Sequence, residues 1–458
     1  MKKLALIVLV CLVVPLQHGA RAQSLVPAPR LAYDWCYPGI WEAGYWESRC
    51  QLFTVEGDTT EIEEPLQIGF GSSPTWSPDG LRIAFVGESG DLVALHRLDD
   101  SYVNLTNDGG GAESPRWSPD DRHIAFIRSG MTMASEWKSD LYVMNADGSN
   151  RTRLTNDGGF GGLFAWAPTG ATIAFSRNAD GSQELHSVNA DGSNLRRLTY
   201  GGGFSGSFAW APAGATIAFS QQADGSRELH RVNADGSNLK RLTYGAGFAG
   251  SFSWAPDGAR LAFECDITTS LSAPGVCTVN SDGTNSVRLT ADDVRASAPM
   301  YAPAGGRIAF VAAASGLTVI QTDGTVVQVA PGTVNPQWSP DGESLVFVKA
   351  GVFAGGACNA DGSPCGPPDE IYVAKADGTG LRMVGYGNNP AWFVPMPGQP
   401  AATFAYQCTG LVCQFDASGS FDPDGTIASY EWKFGDGRLD QDLRRHTHTQ
   451  PARPTMSP

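Results

Sequence analysis

The chain has 458 residues, 42% of them hydrophobic, and carries 47 Asp and Glu against 32 Lys and Arg, a formal charge of −15. That length admits roughly two or three ordinary domains, or one large repeat domain with an appendage. The acidic balance repels phosphate backbones, which sets aside a nucleic-acid partner.

Residues 1–22 read as a secretory signal peptide. Lys2 and Lys3 precede "LALIVLVCLVVPL", and "ARA" precedes Gln23, the charged, apolar and small-residue order of a cleavable leader. The apolar run of 13 residues is short of the ~20 needed to cross a bilayer, and no second long apolar run follows, so no membrane span is expected. The mature protein is expected to be soluble and either periplasmic or secreted. Loss of Lys2, Lys3 and Arg21 takes its net charge to about −18.

Beyond the leader, eight cysteines form four close pairs: Cys36 with Cys50, Cys265 with Cys277, Cys358 with Cys365, and Cys408 with Cys413. An even number at short spacings in an exported chain reads as local disulfides. Zinc is the competing reading, but the pairs lack CxxC spacing and no His stands at ligand distance in the sequence.

From Trp166 the sequence repeats itself: residues 166–209 and 210–253 are identical at 35 of 44 positions. A fixed period of this size signals a propeller or a solenoid. Each unit holds four short strand-like stretches separated by turn residues. In the unit from 254 these are the approach to "SW", then "ARLAFE", "CTVN" and "SVRLT", with turns at "APDG" and "SDGT". Four strands per unit is the make-up of one propeller blade.

The aromatic anchor recurs at Trp76, Trp117, Trp166, Trp210, Trp254, Tyr301, Trp338 and Trp392. The last copy, "NPAW", supplies a first strand alone. At the other end "RLAYDWC" and "CQLFTVEGDTTEIEEPL" supply second, third and fourth strands with none before them. Together they make one blade, which would close the ring without leaving an unpaired edge. The expected fold is therefore all-β: an eight-bladed β-propeller of four-stranded antiparallel blades over residues 23–396, closed by a blade shared between the termini. The count becomes seven if the "NPAW" strand does not pair.

These units resemble the TolB-type propeller repeat, also named the WD40-like or PD40 repeat. The likeness is carried by "WSPDGLRIAF" at 76–85, "SDLYVMNADGSNRTRLT" at 139–155 and "DEIYVAKADGTGLRMV" at 369–384, and it covers roughly residues 30–396. Residues 397–400 read as a linker. After it, "CQFDASGSFDPDGTIASYEWKFGDG" at 413–437 resembles a PKD domain, which implies a partial immunoglobulin-like β-sandwich over 401–458. The stretch "RLDQDLRRHTHTQPARPTMSP" lacks the alternating strands a sandwich needs, so the domain is expected to be incomplete after 437.

The recurring "NADGSN" poses the one question of ion binding. Its Asp and Asn oxygens suggest calcium, but a calcium loop of the EF type needs a Glu six residues after its Gly, where the first copy has Leu198. Asp-Gly hairpin chemistry is the better account. Asp422, Asp424 and Asp436 raise the same alternative and receive the same answer. No cofactor is expected, with calcium the sole candidate.

The sequence shows no HExxH, GxSxG or P-loop signature. His186 and His230 fill strand-three positions where Tyr142 and Tyr372 stand in other units, which reads as half-exposed packing. The function expected is that of an exported, non-enzymatic, monomeric interaction protein that binds a protein or glycan. The alternatives are a propeller-type uronate lyase and the accessory propeller of a secreted hydrolase. Long links between second and third strands, at 36–50, 128–140, 265–277 and 349–370, share one face with the four-to-one loops. Variable loops on a rigid scaffold host binding, so Trp41, Trp46, Trp137, Phe160, Phe204 and Phe248 are the expected partner-binding residues.

Overall fold

The computed structural model describes residues 31–42, 45–55, 66–96, 101–131, 137–156, 159–179, 181–201, 203–245, 248–265, 274–349 and 369–392, together with five C-terminal strands. The main compact unit takes in Leu31–Val55 and Thr59–Val394, and a second takes in Pro395–Pro458. Every regular element among the described residues is a β-strand. No helix among them is long and apolar enough to cross a membrane.

The blade at 160–197 shows how the repeat folds. Strands Phe160–Trp166, Thr172–Ala179, Ser182–Asn189 and Arg196–Arg197 pair in that order. In the second strand Ile173, Ala174 and Phe175 are all fully buried, because neighbouring blades cover both faces of the sheet and leave no solvent side to alternate with. The first turn closes with Gly170 in the left-handed region (φ 74) and Ala167 N–H donating to the Thr172 carbonyl at 2.8 Å. The repeated "NADGSN" phrase closes the next hairpin: Asp191 Oδ1 accepts the Ser193 N–H at 2.9 Å and its hydroxyl at 2.6 Å, and Asn194 is left-handed (φ 54). These bonds give the phrase a turn-making role.

Five more sheets have the same four-stranded plan, and one sheet has seven strands. In the seven-stranded sheet, Leu66–Trp76 serves two blades, with Leu66 to Phe70 paired to Tyr45–Val55 and Gly71 to Trp76 paired to Arg82–Gly87. At its far edge Asn388–Trp392 pairs with Leu31–Glu42, and Trp392 stands opposite Leu31. All of this is β-propeller architecture.

Each first strand carries an irregularity before its aromatic anchor. A left-handed residue sits there, Gly162 (φ 89) and Gly206 (φ 91) in two blades, and Ser73, Ser114, Ala298 and Asn335 (φ 50–55) in four others. Two of these residues are pinned by a carboxylate from the preceding blade. Asp34 accepts the Ser73 N–H at 2.8 Å, and Glu264 accepts the Ala298 N–H at 2.7 Å.

Beyond the bulge, the anchor tryptophans stitch blade to blade. The indole N–H groups of Trp166, Trp210, Trp254 and Trp338 donate to the carbonyls of Arg116, Ala165, Ala209 and Met300, each at 3.1 Å. Every acceptor is the residue just before the previous anchor. Tyr301 has no indole, and its seam is held instead by its own N–H donating to Ser253 Oγ at 3.0 Å.

Two sequence expectations change. The segment 36–50 is not a long link: strands Leu31–Glu42 and Tyr45–Val55 stay paired out to Glu42 opposite Tyr45. The strand His123–Met131 likewise pairs on to Met131 opposite Trp137. The second correction concerns the C-terminal unit. There Ala405–Thr409, Val412–Asp416 and Arg445–Thr449 form one sheet, and Glu431–Lys433 pairs with Leu439–Gln441. The stretch after 437 therefore does form strands: Thr447 and Thr449 supply β-favouring positions that the sequence reading discounted.

The seam gives a direct test. Trp210→Phe keeps an aromatic ring but deletes the donor and leaves the Ala165 carbonyl unpaired, a loss of about 1–3 kcal/mol. Urea unfolding should show a lower midpoint in the variant, and an unchanged midpoint would show that the indole bond does not hold the blades together.

Candidate functional site

Strand direction separates two faces. The "SPDG"-type and "ADGS"-type turns close hairpins at one end of each of the six four-stranded sheets. The two-to-three and four-to-one links lie at the other, the loop face.

The aromatic residues expected to bind on the loop face do not share one environment. Phe160 and Phe204 are 7% and 6% exposed. They pack beside Phe164 and Phe208 with ring centroids 6.4 and 6.3 Å apart. They are core residues, and the reason is the bulge, which turns the start of the strand inward. Trp41 stands opposite Trp46 across the extended ribbon, Trp137 opposite Met131, and Phe248 opposite Cys265. The side chains of Trp41, Trp46, Trp137 and Phe248 lie outside the described residues. So do Cys358, Cys365, the Cys408 and Cys413 side chains, and Asp422, Asp424 and Asp436.

Sequence reasoning missed two exposed aromatics on this face. Tyr200 and Tyr244 are 66% and 69% exposed, and the "RLTY" phrase that places both was visible in the repeat. Behind them lies a buried polar lock. Glu184, fully buried, accepts the Thr199 hydroxyl at 2.5 Å and pairs with Arg197 at 3.1 Å, while the Leu185 N–H donates to Thr199 Oγ1 at 2.9 Å. The next blade repeats the arrangement with Glu228, Thr243 and Arg241. The blade before the Glu184 blade uses Asp140, Thr155 and Arg153. Burial opposes ionisation of Glu228, but hydrogen bonds from Thr243, Ser226 and the Gly245 N–H, with Arg241 beside it, hold its carboxyl below the usual range.

His186 and His230 are buried rather than half-exposed, and stack on Phe175 and Phe219 at 5.7 Å. Burial pushes both imidazoles below their ordinary pKa. They fill the place of Tyr142 on Phe126 and of Tyr372 on Phe347. The corresponding partner of Phe263 is Cys277, which is disulfide-bonded to Cys265 with a Cα separation of 5.7 Å. Cys50 is also disulfide-bonded, and its backbone stands opposite Cys36.

The turn face holds one departure from the repeat. Asp121 (φ 63) occupies the turn position taken by Gly80 and Gly170 elsewhere. Arg82 reaches Asp121 at 2.6 Å and Asp79 at 3.3 Å, and its guanidinium lies 4.4 Å from the Trp117 ring centroid. Burial, then the Asp79 carboxyl, pushes Asp121 up to about 7. Asp79 is also raised by burial, but hydrogen bonds to Asp121, Ser77 and Leu81 outweigh this and leave it below its ordinary value. Among the described residues no group of three or more His, Cys, Asp or Glu is arranged to hold a metal ion.

Comparison with known proteins follows this geometry. The TolB beta propeller domain (PD40) matches residues 70–208 and 202–349, and the PKD domain matches 396–453. TolB from Acinetobacter baumannii is 17% identical, with 71% of this chain and 82% of that one covered and a TM-score of 0.41. Oligogalacturonate lyase from Vibrio parahaemolyticus is 13% identical, with 72% and 95% covered and a TM-score of 0.47. No curated protein matches the chain in sequence.

The raised carboxyl makes a signed prediction. Asp121 keeps its proton in the folded state to about pH 7 but loses it near pH 4 when unfolded. Its contribution is therefore present at low pH and lost as pH rises through about 7. The melting temperature should fall more steeply between about pH 5 and pH 8 in the native chain than in Asp121→Gly. Parallel slopes would remove Asp121 from the account.

Proposed function

Because the chain belongs to the TolB beta propeller family, matched across residues 70–349 of 458, we propose that it is an exported, non-enzymatic scaffold that docks a protein partner on its loop face. One contrast supports this reading most. Turn-face hydrogen bonds repeat from blade to blade, as in the Asp147, Asp191, Asp235, Asp282, Asp323 and Asp377 turns. Loop-face links instead range from a tight hairpin between Ala179 and Ser182 to the span between Lys349 and Glu370. Uniformity is the mark of architecture, and variation on rigid support is the mark of recognition.

The scaffold is an eight-bladed ring acting as a monomer. Closure through the split blade is supported by the pairing of Asn388–Trp392 with Leu31–Glu42. The Trp392 indole also donates to the Gln337 carbonyl at 3.4 Å, and Gln337 Nε2 donates to the Pro390 carbonyl at 2.9 Å. These bonds extend the anchor seam to the last strand. Export to the periplasm or beyond is supported by the leader-like residues 1–22 and by the Cys265–Cys277 disulfide, which persists in oxidising compartments.

Trp41 and Trp46 stand opposite each other on the paired ribbon, and Trp137 opens the strand Trp137–Asn145 within the segment 128–140. Replacing all three with Ala should weaken capture of a protein partner isolated from the source organism's envelope at least tenfold, about 1.4 kcal/mol, without lowering the melting temperature. Unchanged capture in that variant, with loss on altering the turn-face residues, would put the docking surface on the other side.

A further inference from the structure

Tyr200 and Tyr244 occupy equivalent positions in the two most alike blades, which pack directly on each other through Leu185, Leu198, Phe204 and Phe219. In the preceding blade the same position is Asn156, so the tyrosines are not demanded by the repeat. They are also not packing residues, with 66% and 69% of their surfaces exposed. Each ring is nevertheless held. The Arg197 guanidinium lies 4.8 Å from the Tyr200 centroid and the Arg241 guanidinium 4.6 Å from the Tyr244 centroid. The phenol of each reaches back to the carbonyl of the same arginine, at 3.3 and 3.5 Å. One ring face is thus backed by a cation whose own position is fixed by a buried carboxylate, and the other is open to solvent. Two exposed aromatic rings on rigid supports have little conformational entropy left to lose on binding.

The charge at these platforms is already balanced. Arg197 is paired with Glu184, and Arg241 with Glu228 at 3.0 Å and Asp224 at 2.5 Å. No guanidinium charge is left over to recruit an anionic ligand. Aromatic faces in such a setting suit the C–H-rich face of a pyranose ring, the electron-rich π-cloud meeting weakly positive hydrogens. A platform repeated in two adjacent blades suits a ligand that itself repeats.

We propose that Tyr200 and Tyr244 form a two-ring platform for a neutral polysaccharide chain. This rests on the reading of the loop face as the docking face and adds a glycan contact to it. The test is affinity electrophoresis of the full chain through gels containing hydroxyethylcellulose, laminarin or galactomannan, with polygalacturonate as the acidic comparator. At least one neutral polymer should retard the protein and polygalacturonate should not. Tyr200→Ala/Tyr244→Ala should weaken that retardation by about tenfold or more, while Tyr200→Phe/Tyr244→Phe retains it; both variants should melt at the native temperature. The inference is overturned if no neutral polymer retards the chain, if the Ala pair migrates like the native protein, or if polygalacturonate retards it as strongly. Envelope-partner capture by the Tyr200→Ala/Tyr244→Ala variant keeps the two readings apart. Intact capture with no glycan retardation in the native chain sinks the platform alone, whereas failure of the Trp41, Trp46 and Trp137 substitutions to affect capture sinks the docking-face reading alone.

Discussion

The indole N–H of Trp166, Trp210, Trp254, Trp338 and Trp392, donated to a backbone carbonyl in the blade before it, is the contact on which the blades from 160 onward depend. A four-stranded blade is too small to bury both of its faces alone, so it needs neighbours, and the hydrophobic contact between blades is not directional. The Trp166, Trp210, Trp254 and Trp338 bonds, all at 3.1 Å, supply the missing direction by fixing the register of one blade against the next. Where the chain puts Tyr301 at this position, Ser253 takes over the bond from the other side of the seam.

With the inner seam fixed, each blade needs its outer strand held, and these strands are very short, Arg196–Arg197 and Lys240–Arg241 among them. Two ladder pairs are a weak hold. The buried Glu184 and Glu228 make up the deficit by binding the Thr and Arg of the outer strand, so a costly buried charge is fully satisfied and does structural duty. The blade with the disulfide lacks this acid. Gly275 stands at that position, where a Cβ would meet Thr290 Oγ1 at 2.4 Å and Arg288 Cζ at 2.6 Å, so Arg288 has folded into the vacated space. That blade carries Cys265–Cys277. A covalent link between its middle strands accompanies loss of the ionic link to its outer one.

Much of this was legible because repetition shows in a single sequence. The period, the four strands per unit and the turn role of "NADGSN" follow from spacing and from the conformational freedom of Asp-Gly and Asn. What escaped the sequence is local and physical. A paired ribbon and a long loop have the same length, so only the Trp41–Trp46 register distinguishes them. Phe160 and Phe204 look like loop residues until the left-handed bulge beside them turns the strand inward. Conversely, Tyr200 and Tyr244 follow the buried pairs Leu198–Thr199 and Leu242–Thr243 so closely that they read as strand-four packing. In the fold Arg197 and Arg241 lie against the rings, which stay exposed to solvent. After residue 437 the strand Arg445–Thr449 rests on pairing with Val412–Asp416, a partner remote in sequence.

In the proposed reading the two faces divide the work: uniform turns fix geometry, and variable links are carried on a hydrogen-bonded seam. Hydrogen–deuterium exchange of the chain alone and with its captured envelope partner tests this division most directly. The account predicts slow exchange along the anchor strands in both states, with new protection confined to peptides at 36–50, 128–140, 265–277 and 349–370 and the four-to-one loops beside them. New protection at the Asp191, Asp235 and Asp282 turns, with none in those links, would contradict it.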